Sequence, residues 1–167
     1  VCAANTVDAQ TAYEAVFSLW GAINGGVNML MHGAGWLEGG LCCSYEKTIL
    51  DIDLLQMVSE FLQPASTNPD DLAVDTINEV GPAGHFFGTE HTQNRYRDAF
   101  YSPILSDWRN FETWQEAGSP ITIERANAEW KSRLAAYEPP SLDAAIREEL
   151  EAFTTRRKSE GGVATDF

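Results

Sequence analysis

Positive charge is what this sequence has least of. Its 167 residues include 11 Lys+Arg against 25 Asp+Glu, a formal net charge of -14. A surface this acidic repels phosphate backbones and anionic lipid, which argues against nucleic acid or a membrane surface as a partner. No run of about 18 apolar residues occurs, so no transmembrane helix is predicted. The opening residues lack the basic start and unbroken apolar stretch of a signal peptide. Cysteine is scarce as well: Cys2, Cys42 and Cys43 are odd in number and two are adjacent, a poor basis for a disulfide framework. Reduced thiols in the cytoplasm are the expectation. Also missing are GxSxG, a P-loop, GxGxxG after a strand, CxxC and HExxH, so serine hydrolysis, nucleotide binding and a structural zinc lack support.

What is present suits a folded chain. At 44% hydrophobic it can bury a core. Val1-Cys2-Ala3-Ala4-Asn5 carries neither an initiator Met nor leader character, and it reads as an internal stretch of a longer protein. Apolar residues at Ala12, Ala15, Val16, Leu19 and Ile23 predict a helix over 8–24. Val27–Met31, short, apolar and glycine-bounded, predicts a buried parallel strand. Ser44 precedes a predicted helix 44–63, and Asn68-Pro69-Asp70-Asp71 opens another over 69–80. Residues 85–105 read as irregular with a short helical piece at 93–100. Further helices are expected at 109–117 and 123–137, then a last one that Ser141 can cap, with Leu142, Ile146, Leu150 and Phe153 aligned. One domain over 1–158 and a flexible tail over 159–167 complete the expectation.

Ligands of α/β proteins sit beyond the carboxyl ends of parallel strands, so the loop His32–Cys43 is the first candidate site. It holds His32, Trp36 and Glu38 among glycines, and Tyr45 and Glu46 open the helix that follows. The plainer alternative is that the glycines make a turn and Trp36 fills the core, with Glu46 a partner for the helix dipole. A second candidate is Gly84–Thr92, where His85 and His91 flank Phe86 and Phe87. A metal-dependent hydrolase using His32, His85 and His91 is one further reading.

Several ordered motifs then narrow the choice. Asp8-Ala-Gln10 with Tyr13-Glu14, Gly-Gly-Val-Asn28, His32-Gly-Ala-Gly-Trp-Leu-Glu-Gly-Gly40, Ser44-Tyr-Glu-Lys47, Leu72-Ala-Val-Asp75, Glu79-Val-Gly-Pro-Ala-Gly-His85-Phe86, His91-Thr92, Tyr96-Arg97 and Trp114…Gly118 follow one another at compatible spacing. Over about residues 5–150 the sequence resembles the C-terminal part of the trimethylamine methyltransferase family, the corrinoid-dependent amine methyltransferases.

The resemblance implies an α/β fold, the C-terminal part of a TIM (β/α)8 barrel, mostly helical in this stretch. It also implies transfer of a methyl group from a tertiary or quaternary methylated amine to the cobalt of a corrinoid (cobalamin) carried by a partner protein, with no metal bound directly. Trp36, Tyr45, Phe86, Phe87 and His91 would then bind the substrate. Aromatic faces each hold a desolvated ammonium with about 0.5–2 kcal/mol. His32, Glu38, Glu46 and His85 would supply counter-charge or keep a tertiary amine protonated. The two loops are expected to face one cavity, and a homo-oligomer is possible. A non-catalytic module that binds quaternary amines or serves assembly is the alternative.

Overall fold

The computed structural model describes residues 1–161. It divides into two compact units, Val1–Arg133 and Leu134–Phe167, where one body over 1–158 is the sequence-based expectation.

The first unit opens with residues 1–7 in irregular backbone. Cys2 and Ala4 are buried with Leu37, and their carbonyls accept from the Gly39 and Glu38 amides at 2.8 and 3.0 Å. Helix α1 spans Ala9–Asn24, and Asp8 caps it by accepting from the amides of Gln10 and Thr11. The strand expected at 27–31 does not form. Val27, Met29 and Met31 are 49–76% exposed and the backbone bends. The apolar run finds no neighbouring strand among the described residues, and without a ladder to satisfy its amides an extended strand has no advantage there.

Instead the chain makes a small hairpin: β1, Trp36–Leu37, pairs antiparallel with β2, Cys42–Cys43, with Trp36 opposite Cys43. A short 3-10 turn, Glu38–Gly40, closes it. Helix α2, Tyr45–Phe61, follows the Ser44 cap, whose hydroxyl accepts from the Lys47 amide at 3.2 Å. Ile49 of α2 packs with Leu105 and Ala126, and Leu50, Ile104 and Trp130 close in around them. The predicted apolar face is only partly covered, since Phe61 and Leu62 are exposed, whereas the charged residues Lys47, Asp51 and Asp53 of α2 are buried.

The helix predicted over 69–80 is two: α3, Pro69–Leu72, capped by Asn68, and α4, Val74–Val80. Ala73 breaks them by adopting left-handed backbone, φ 52°, a conformation that nothing in its side chain announces. Gly81, φ 64°, ends α4. Helices α5, Glu90–Arg95, and α6, Phe111–Glu116, follow, and α7, Thr122–Ala135, ends two residues past the unit's last residue, Arg133.

The second unit is described to Gly161 and consists chiefly of α8, Ala144–Ser159. Pro139-Pro140 separates it from α7. Its cap is Asp143, which accepts from the amides of Ala145 and Ile146, and Ser141 plays no part in it. A carboxylate two residues further on, directly before the helix, takes that place. The helix ends at Ser159, at the start of the tail expected over 159–167, and residues 162–167 of that expected tail lie outside the described residues. No described helix is long and apolar enough to cross a membrane.

Candidate functional site

The loop from His32 to Cys43 is held on α2 through Gly35. Its amide donates to Asp51 Oδ2 at 2.8 Å, and its carbonyl accepts from the Ser44 amide at 3.0 Å. Gly35 has φ 87°, and a Cβ there would lie 2.6 Å from Thr48 Oγ1. Only glycine combines that backbone with that approach. Asp51 uses its other oxygen to pair with the Lys47 ammonium. Both side chains are at most 4% exposed. A buried ion pair therefore sits under the loop and ties it to the helix.

The loop carries His32 and Trp36 into contact. The rings meet edge to face, 5.6 Å between centroids at 78°. His32 is exposed and holds left-handed backbone, φ 56°, a strained choice for a residue with a Cβ and one that clusters at functional sites. Trp36 is half-buried, and Glu38 stands exposed at the tip of the hairpin. Behind the loop, a cavity of about 120 Å³ is lined by Leu30, His32, Gly33, Leu19, Lys47 and Asp51.

The second predicted loop forms an aromatic bowl of about 600 Å³, lined by His85, Phe86, Phe87, Tyr96 and Phe100 with Thr92 and Gln93. His85 and Phe87 lie 5.8 Å apart between ring centroids. The bowl and the cavity behind the His32 loop share no lining residue, contrary to the single cavity expected from helix lengths. The break at Ala73 changes the course of the chain between the two loops, and a straight helix over 69–80 was the premise of that expectation.

Three predicted site residues are engaged elsewhere. The Glu46 carboxylate accepts from Asn127 Nδ2 at 2.7 Å, Trp130 Nε1 at 2.8 Å and Ser44 Oγ at 2.9 Å. These bonds, led by Asn127 and Trp130, lower its pKa to about 2. It is a latch between α2 and α7 and stays ionised at neutral pH, so it does not serve as a proton donor. Tyr45 stacks on Trp130, 4.9 Å between centroids. His91 Nε2 lies 3.0 Å from the Asp70 carbonyl oxygen, in an acidic cleft with Asp75, Glu79 and Glu90. His32, His85 and His91 thus line three separate cavities. Among the described residues no group of three or more His, Cys, Asp or Glu is arranged to hold a metal.

The Glu46 latch has a pH signature. A carboxyl shifted from 4.5 down to about 2 adds stability that is complete above the higher value and disappears as pH falls through the lower. Glu46 is partly reached by solvent, so Glu46→Gln is expected to cost about 1–2 kcal/mol at neutral pH and far less near pH 2. Urea unfolding at the two pH values reads the difference.

Lys47, Asp51 and Asp53 were not foreseen as parts of the site's frame. The available signal was the four-residue spacing of Lys47 and Asp51 on one helix face.

Comparison with known proteins agrees with the motifs. The chain belongs to the trimethylamine methyltransferase (MTTB) family, whose sequence model matches residues 1–162. It is 40% identical over 157 residues to a glycine betaine methyltransferase of Desulfitobacterium hafniense, an alignment covering 94% of this chain and 33% of that protein. A trimethylamine methyltransferase MttB of the same species is 33% identical over 159 residues, covering 94% of this chain and 31% of the relative. The trimethylamine methyltransferase MttB2 of Methanosarcina mazei is 30% identical over 149 residues, covering 89% and 30%. The chain spans about a third of the length of these relatives.

Proposed function

We propose that this chain is the C-terminal portion of a TIM-barrel methyltransferase, which moves a methyl group from a tertiary or quaternary methylated amine to the Co(I) of a corrinoid held by a partner protein. The observation that carries the reading is the match of nearly the whole chain to proteins named for methyl transfer from glycine betaine and trimethylamine. Three unpaired cysteines fit a reducing, cytoplasmic setting.

A corrinoid in its Co(I) state supplies the electron pair that accepts the methyl group, so no side chain of the enzyme has to act as nucleophile. The residues present fit an approach from outside: Met29, Met31 and Leu41 are 69–88% exposed around the His32 loop and offer an open apolar rim. The work left to the chain is to hold a cation, orient one methyl and exclude water. The face of Trp36 takes the ammonium, and Glu38 provides counter-charge. When the C–N bond breaks, its electrons stay on nitrogen. A quaternary amine then leaves neutral, whereas a tertiary amine must be protonated to do so, and His32 is placed to keep that proton on. The bowl of His85, Phe86 and Phe87 is a second aromatic surface that can hold a cation.

Trp36→Ala in the intact enzyme is expected to weaken methylated-ammonium binding by about 1–2 kcal/mol with little change in melting temperature. Titration calorimetry with glycine betaine and trimethylamine measures the first, and scanning calorimetry the second. Unchanged affinity with a large fall in melting temperature would show Trp36 to be a packing residue.

A further inference from the structure

Gln10 and Glu14 take no part in the amine site described so far, yet their side chains reach it through the segment that precedes α1. They lie one helical turn apart on α1, and Gln10 Nε2 donates to Glu14 Oε1 at 2.7 Å. The other carboxylate oxygen, Oε2, accepts from the amides of Ala3 and Ala4 at 2.6 and 3.3 Å. The bond from Gln10 first, then those from Ala3 and Ala4, hold the Glu14 pKa below the usual carboxylate range, so it remains an acceptor at neutral pH.

The same segment grips the hairpin. Cys2 Sγ donates to the Trp36 carbonyl at 3.3 Å, the Cys2 carbonyl accepts from the Gly39 amide, and the Ala4 carbonyl accepts from the Glu38 amide. Cys2, Ala4 and Leu37 are each at most 4% exposed, which shields this contact from water. Glu38 needs such a hold. Its φ of 51° is left-handed backbone, which a residue with a Cβ keeps only where its surroundings fix it. The Ala4 carbonyl fixes the Glu38 amide, and Glu14 in turn fixes the two peptide groups that flank Ala3.

We propose that Glu14 is a positioning residue of the amine site: through residues 2–4 it sets the backbone of Glu38, and with it the place of the counter-charge offered to the ammonium. This role rests on the methylated-amine reading above. Glu14 acts on the site through Glu38, so removing the Glu38 side chain leaves it nothing to position.

Titration calorimetry of the intact enzyme with glycine betaine and trimethylamine tests this on Glu14→Ala, Glu14→Gln, Glu38→Ala and the double variant of Glu14→Ala with Glu38→Ala. Glu14→Ala is expected to raise the dissociation constant about tenfold. Glu14→Gln keeps an oxygen for Ala3 and Ala4 and is expected to stay within about twofold of the unaltered enzyme. The double variant is expected to bind as Glu38→Ala does, whereas a residue that merely supported the fold would weaken it further. Hydrogen exchange without ligand is an independent readout: Glu14→Ala should speed exchange at Glu38 and Gly39 and leave the α2 amides as they were. An unaltered enzyme that binds neither amine overturns the methylated-amine reading itself. Binding that Glu14→Ala leaves unchanged, or a double variant weaker than Glu38→Ala, overturns the role of Glu14 alone. So does exchange at Glu38 and Gly39 that Glu14→Ala does not alter, or that rises equally along α2.

Discussion

Replacing Asp51 by alanine is expected to cost the fold about 3–5 kcal/mol, because it strands a buried ammonium. Lys47 is 1% exposed and pairs with Asp51, so its charge would be left in a site that water does not reach. The Gly35 amide loses its acceptor in the same change. Asp51→Asn keeps an oxygen for Gly35 but not the charge, and falls between. Removing both charges with Lys47→Met and Asp51→Asn is expected to be less harmful than Asp51→Ala, since the cost of a broken buried pair lies mostly in the partner left behind. Urea unfolding of the set gives the order, and a double variant as unstable as Asp51→Ala would contradict it. The loop is anchored by the same carboxylate, so the Asp51 variants should also loosen the His32–Trp36 contact, seen as a change in Trp36 fluorescence.

A second large effect is expected at Asp53, which is 2% exposed and accepts from the amides of Ile104 and Leu105 at 2.7 and 3.2 Å. Those bonds fasten an irregular segment to the centre of α2, next to the packing of Ile49, Leu105 and Ala126. Asp53→Ala leaves two amides without acceptors beside a core residue, at a cost of about 2–4 kcal/mol. Hydrogen exchange should show the loss concentrated at Ile104 and Leu105. Uniform loss of protection along the whole chain would instead mean that the carboxylate supports the fold in general and not that segment.

The elements that could be read from the sequence are those whose signals are local. Asp8, Ser44 and Asn68 each cap a helix expected at that place, because a short side-chain oxygen reaches amides two or three residues on, and Asn110 does the same for α6, inside the helix expected over 109–117. The run Val27–Met31 misled for the opposite reason. A strand exists only by pairing with another, and no property of five apolar residues reveals whether a neighbour is there. The left-handed backbone at Ala73 had no residue-level sign, and it redirects the chain between the two candidate loops.

At the site, the chemistry-bearing residues of the His32 loop were legible and its frame was not. His32, Trp36 and Glu38 stood out as side chains suited to a cation among glycines. Lys47, Asp51 and Asp53 were hidden because a charged residue on a helix is usually solvated. Glu46 and Tyr45 were assigned to the ligand from their position after the loop. Asn127 and Trp130, more than eighty residues along the chain, claim them instead.

The most direct test of the methyl-transfer reading is to supply the intact enzyme with cob(I)alamin and follow methylation of the cobalt spectroscopically in the presence of trimethylamine or glycine betaine. The account predicts methylation that depends on both enzyme and amine, with one demethylated amine released for each methyl transferred. Tight binding of the amine by folded enzyme, with no methylation of either cob(I)alamin or a corrinoid protein, would contradict it and leave an amine-binding module in its place.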